Sequence, residues 1–252
     1  MSAEEVKGGE TAEVSDAMAF LDMVFVLEAE KVYNDIVEAY PVAMGKAASK
    51  KERDDLGLQK TATLVYGELD FKTLGIAIQK IQKIYGKPDV GSSGPMGILQ
   101  SKGGQFYDLG SGTGKGCIAA ACLYPFDMCT GIELLEGLHN ISMEALFTYN
   151  QKGRNGKGLE PQCQFLRGDF NDFAIKDWRD ADVIYANSTC YDEALMEKIA
   201  ANTRGMKKGS FCITISRRLP SKDFVVLEHE LQRMSWGEAT VFIHQKINDP
   251  RD

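Results

Sequence analysis

The sequence contains no CxxC pair, and its six cysteines (117, 122, 129, 163, 190 and 212) fall mostly inside apolar segments. That pattern argues against a zinc ribbon or a disulfide frame and predicts reduced core thiols of an intracellular protein. Histidine is scarce, with three residues at 139, 229 and 244, none placed to serve as a general base; 229 and 244 read as structural and no metal site is expected. Positive charge is not in excess either. Lys and Arg number 29 against 36 Asp and Glu, a net charge of −7, so nothing draws the chain as a whole to nucleic acid or an anionic membrane. No apolar run is long enough to span a bilayer, and the acidic start MSAEEVKGGETAEV lacks the apolar region of a signal peptide. Internal repeats and low-complexity tracts are missing too. What is present is 252 residues, 44% hydrophobic, enough for one large domain or a domain with an appendage.

The informative stretch is Phe106 to Glu133, FYDLGSGTGKGCIAAACLYPFDMCTGIE. It reads as strand, glycine turn, helix, strand and acid, one half of a nucleotide-binding α/β sheet. A P-loop is ruled out at both ends, because Leu109 stands five positions before Gly114 and Gly116 follows Lys115. A GxGxxG fingerprint fails as well, since Lys115 and Cys117 occupy the positions its last glycine would need. What remains is acid-x-Gly-x-Gly-x-Gly, the form found in S-adenosylmethionine (SAM) methyltransferases. SAM carries no phosphate, so Asp108 can face its methionyl ammonium while Gly110, Gly112 and Gly114 let backbone approach. Glu133 would accept the ribose hydroxyls.

Residues 1–14 read as a disordered leader, and 15–103 as a helical N-terminal lobe with a cofactor-covering loop. In that lobe a helix from Ser15 or Asp16 to about Tyr40 has Met18, Leu21, Val24, Leu27, Val32, Ile36 and Val37 at helical spacing. A basic, alanine-rich helix follows at Met44 to Arg53, then one ending near Tyr85. From 104 to 252 strand and helix alternate, which predicts a doubly wound, mostly parallel seven-stranded Rossmann-like sheet with an antiparallel last strand. The strand tips carry Asp108, Glu133, Asp169 and Asn187, where open α/β sheets bind ligands. Asp169 can accept from the adenine amino group or cap a helix, and Phe170 offers a face for the ring. Asn187 follows the fourth strand where the transferable methyl would lie. It either orients a nitrogen nucleophile or closes an Asx turn. The sequence from Asn187 to Tyr191 has no proline, unlike the Asn/Asp-Pro-Pro-aromatic motif of DNA adenine methyltransferases.

Several of these motifs occur together in order: Tyr66-Gly67-Glu68, DLGSGTG at 108–114, Gly131-Ile-Glu133, Arg167-Gly-Asp-Phe170, Asn187 and Ser235-Trp236. Over about 61 to 247 the chain resembles the disruptor-of-telomeric-silencing family of non-SET histone lysine methyltransferases. The resemblance implies a SAM-dependent protein-lysine N-methyltransferase acting on histone H3 or the nucleosome, in the nucleus or alternatively the cytoplasm. It implies that Tyr66 and Glu68 cover the methionyl end of SAM, and that Asn187, Tyr191 and Trp236, with an aromatic near Phe242, line a lysine channel. Apolar walls there would lower the amine pKa, so no His or Cys base is needed. The chain departs from the family at Lys115, where a glutamine is common and a lysine could pair with the SAM carboxylate. It departs again in having only the short basic groups Lys50, Lys51, Arg53 and Lys152, Arg154, Lys157, which predicts weak or no direct nucleic-acid binding. A non-histone protein or small amine as substrate, or a silent SAM-fold binding module, stay open as alternatives.

Overall fold

The computed structural model describes residues 23–58, 61–64, 66–67, 70–87, 97–154, 159–234 and 237–251. The expected leader, the helix start at Ser15 or Asp16, Glu68 and Trp236 lie outside the described residues. Helix α1 runs over 23–37 and buries Val26, Ala29, Tyr33, Ile36 and Val37. Val32, Ile36 and Val37 of the stripe read off the sequence face the core, but Leu27 is exposed and Val26 is buried in its place. Helix α2, Val42–Asp55, buries only Gly45 and Ser49, as its basic, alanine-rich composition predicts. Helix α3, Phe71–Lys80, starts where the Asp70 side chain accepts from Thr73 N at 2.9 Å, a typical N-cap, and runs on through a wider π-type turn at Ile81–Tyr85. Its apolar face (Phe71, Leu74, Ala77, Ile78) belongs to the same core as the sheet.

The sheet has strands β1 (Gln105–Leu109), β2 (Met128–Glu133), β3 (Gln162–Arg167), β4 (Val183–Ala186), β5 (Phe211–Ile215), β6 (Phe224–Met234) and β7 (Gly237–Lys246). Their order is β3-β2-β1-β4-β5-β7-β6. The first five are parallel, and β7 enters antiparallel between β5 and β6. β4 and β5 are buried along their whole length, because helices cover both faces of a parallel sheet. One face packs against α1, α3, α4 (Lys115–Leu123) and α5 (Glu136–Thr148). The other packs against Trp178 and α6 (Glu193–Asn202), through Met196, Ile199 and Ala200. β6 forms one open edge of the sheet and carries a bulge between Val226 and Glu228. The doubly wound sheet matches the expectation. The reversal of direction is at β7, so both closing strands lie beyond β5.

Candidate cofactor and methyl-transfer site

The carboxyl ends of β1, β2 and β4 meet around the glycine turn, where the strand order changes direction between β1 and β4. The turn leaves β1 with Gly110 at φ +81° and Gly112 at φ +54°, conformations that glycine adopts freely. Both positions are also crowded. A Cβ at 110 would run into the Tyr191 hydroxyl, and one at 112 would lie 2.6 Å from the Tyr66 ring. Gly110 N and Ser111 N donate to Ile132 O at 2.9 and 3.1 Å, tying the turn to β2. From the other side, Glu133 Oε2 accepts from Gly112 N at 2.7 Å and Oε1 from Leu135 N at 2.8 Å.

A cavity with about 870 Å³ of empty space, partly open to solvent, runs from this turn to the tip of β3. Gly110, Gly112 and Glu133 line one end, and Asp169, Phe170 and Asn171 the other. A smaller recess continues under Tyr66 and Gly67 to Asp108, Ser111, Lys115 and Tyr185, and Asn187 borders both spaces. Two acids therefore face one groove. Burial, reinforced by the charge of Glu133, pushes the Asp108 carboxyl up to about 8. Burial also raises Glu133, against the pull of its backbone N–H partners. Both carboxyls are disfavoured as anions by burial, so a cation placed beside them would be stabilised by their ionisation. In addition, Ser111 Oγ is buried without a hydrogen-bond partner. A ligand with an ammonium and a sulfonium at one end, ribose hydroxyls in the middle and an aromatic base at the other fits this sequence of groups. SAM, when bound, would supply the electrophilic methyl; Asp108 could hold its methionyl end, Glu133 the middle, and Asp169 with Phe170 the base.

Several expected residues take different positions. Tyr191 lines the cavity, and its hydroxyl donates to Leu109 O at 2.7 Å, so it also supports the glycine turn. Burial and the neighbouring acids raise its pKa, which keeps it a donor. Gly114 lines neither space; a Cβ there would collide with Phe165 and crowd Ser142, so this glycine serves the packing of α4. Phe242 is off the site, stacked between His229 and His244 at 6.1 and 5.9 Å. Tyr66 is wedged between Gly45 of α2 and Gly112, and its hydroxyl lies 2.9 Å from Thr113 Oγ1. Asp169 caps no helix: its Oδ1 accepts from Asn171 N at 2.8 Å in an Asx turn. His244 is structural, with Nε2 accepting from Leu219 N at 3.1 Å and Nδ1 3.0 Å from Cys212 O, and burial lowers its pKa to about 4. Sequence reasoning missed Leu134, Leu195 and Lys198 in the cavity wall. Leu134 directly follows Glu133 and could have been inferred from that; Lys198 faces the site only because of how α6 is rotated.

This fold and this groove define a class I SAM-dependent methyltransferase, and SAM is its cofactor. The family profile described as histone methylation protein DOT1 matches residues 96–244, more than half of the chain. The chain belongs to that family. Among solved structures it is similar to TrmN from Thermus thermophilus, at 18% identity and a TM-score of 0.51 over 75% of this chain and 52% of that one. The chain thus spans about half the length of TrmN. It is also similar to a precorrin-6y C5,15-methyltransferase from Geobacter metallireducens (12% identity, TM-score 0.44, 59% of this chain and 83% of that one). A third similar structure is M. capricolum TrmK in complex with S-adenosyl-homocysteine (10% identity, TM-score 0.43, 61% of this chain and 66% of that one). No curated protein matches the sequence.

Proposed function

We propose that the chain is a protein-lysine N-methyltransferase acting on a lysine of histone H3 in chromatin, in the nucleus. The observation that carries the proposal is the family match over residues 96–244, which takes in the glycine turn, both buried acids and Asn187. Asn187 directly follows β4 on the border between the cofactor groove and the recess under Tyr66 and Gly67. An amine arriving there meets a side-chain amide and, among the described lining residues, no histidine or cysteine, which suits a reaction whose demands are positioning and desolvation. Glu68 and Trp236, outside the described residues, are proposed for the cover and the channel on the family resemblance alone.

A second reading, a non-nucleosomal protein substrate, is favoured by charge. The net charge is −7, and in the basic helix α2 Lys51 pairs with Asp55 at 2.9 Å while Arg53 Nε donates to Ser49 O at 3.3 Å. The test is transfer of labelled methyl from SAM to nucleosomes, free core histones and a total protein extract, with Asp108→Ala as blank. Label on an H3 lysine is expected. Label confined to an extract protein would replace the substrate, and none on any acceptor would overturn the proposal.

A further inference from the structure

Asn187 is held by residues outside the motifs read from the sequence. Thr189 Oγ1 donates to Asn187 Oδ1 at 3.0 Å and lies 3.1 Å from Ser216 Oγ. A hydroxyl has one proton to give. Since Thr189 gives its proton to Asn187, Ser216 must be the donor in the second contact. The three side chains form a directed chain from Ser216 through Thr189 to Asn187.

The chain is anchored to the tip of β5. Ser216 follows that strand with φ +65°, in the left-handed region that favours glycine, and its N–H donates to Thr240 O at 2.7 Å. Ser188 Oγ donates to Ile215 O at 2.7 Å, which pins the turn carrying Thr189 to the same tip. A serine kept where glycine would be easier points to a use for its hydroxyl.

We infer that Thr189 and Ser216 are positioning residues for methyl transfer, locking the Asn187 amide with Oδ1 toward Thr189 and Nδ2 toward the Tyr66–Gly67 segment. A Cβ on Gly67 would lie 3.4 Å from that Nδ2. The terminal torsion of an asparagine is otherwise broad, and rotation about it exchanges the donor and acceptor edges. Without the hydroxyl chain, Asn187 presents either edge to the reacting nitrogen. The inference rests on the reading of Asn187 as the residue that faces that nitrogen.

Ser216→Gly gives the sharpest test, because it removes the hydroxyl and relieves the backbone at once. It is expected to melt no lower than wild type, to bind SAM within about twofold, and to transfer methyl at least about fivefold more slowly to free core histones and nucleosomes. Thr189→Val should slow transfer similarly and Thr189→Ser should restore it. In an Asn187→Ala background neither change should matter further. Full activity in Asn187→Ala would sink the reading of that residue. An impaired Asn187→Ala beside fully active Ser216→Gly and Thr189→Val would sink the positioning role alone. A readout independent of any acceptor is the side-chain amide NMR signal of Asn187, identified by its loss in Asn187→Ala. It should move toward the random-coil position in Thr189→Val; an unmoved signal overturns the inference.

Discussion

At the scale of single residues, the pair Asp108 and Glu133 sets how the protein responds to pH. The folded-state pKa of Asp108, about 8, lies above its ordinary value near 3.8, so its contribution to stability is full below pH 3.8 and fades as pH rises toward 8. A cationic ligand reverses the preference, because it pairs with the ionised carboxylate. SAM binding at pH 7 should therefore release about one proton, and the thermal stabilisation by SAM should grow between pH 5 and pH 8. Calorimetric titration in two buffers of different ionisation heat measures the release; an equal release by Asp108→Asn would rule out this carboxyl as its source. Both acids were legible in the sequence because they end apolar strands beside a glycine turn. The hydroxyl chain behind Asn187 was not, since Thr189 and Ser216 are 27 positions apart and meet only once β4 and β5 pair. Tyr191 was placed by resemblance near the channel and lines the cavity; its hydrogen bond to Leu109 O, which ties it to the glycine turn, was not legible because the two are 82 positions apart.

At the scale of elements, α5 starts without a capping side chain of its own, because Leu135 stands at its N-cap. Glu52 of α2 supplies the cap from another helix, accepting from Glu136 N at 2.8 Å and Gly137 N at 2.7 Å. A carboxylate also suits the positive end of the helix dipole. Glu52→Ala should cost about 0.5–2 kcal/mol and weaken SAM binding, since the capped turn follows directly on Glu133 and Leu134 in the groove wall. Chemical denaturation and equilibrium binding would check the two effects; unchanged stability would mean that water caps the turn equally well. Strand positions were readable from apolar runs of the right length, and β4 from 183 to 186 matches the run in the sequence. On α1 the expected Val32, Ile36 and Val37 face the core, and Leu27 misses it, because Val26 fits the helical period as well and packing chose Val26.

At the scale of the whole molecule, helices α1 and α3 share one continuous core with the sheet, in which Leu74 and Ile78 join Cys117 to Leu123, Phe106 and Phe211. Leu74→Ala should cost 2–5 kcal/mol and lower the single melting transition, with no earlier step for the N-terminal helices. A separate low-temperature step in calorimetry would show that those helices melt on their own. Strand β6 lines neither the cavity nor the recess. Its eleven residues leave a row of backbone donors and acceptors on the open edge of the sheet. Along that edge stand Glu228, Glu230 and Arg233, with Lys80 bridging the two glutamates, and the bulge at Val226 and Glu228 breaks the pairing register. A strand from another molecule that tried to extend the sheet would meet these charges and the kink beside the exposed Leu231, features that disfavour edge-to-edge pairing.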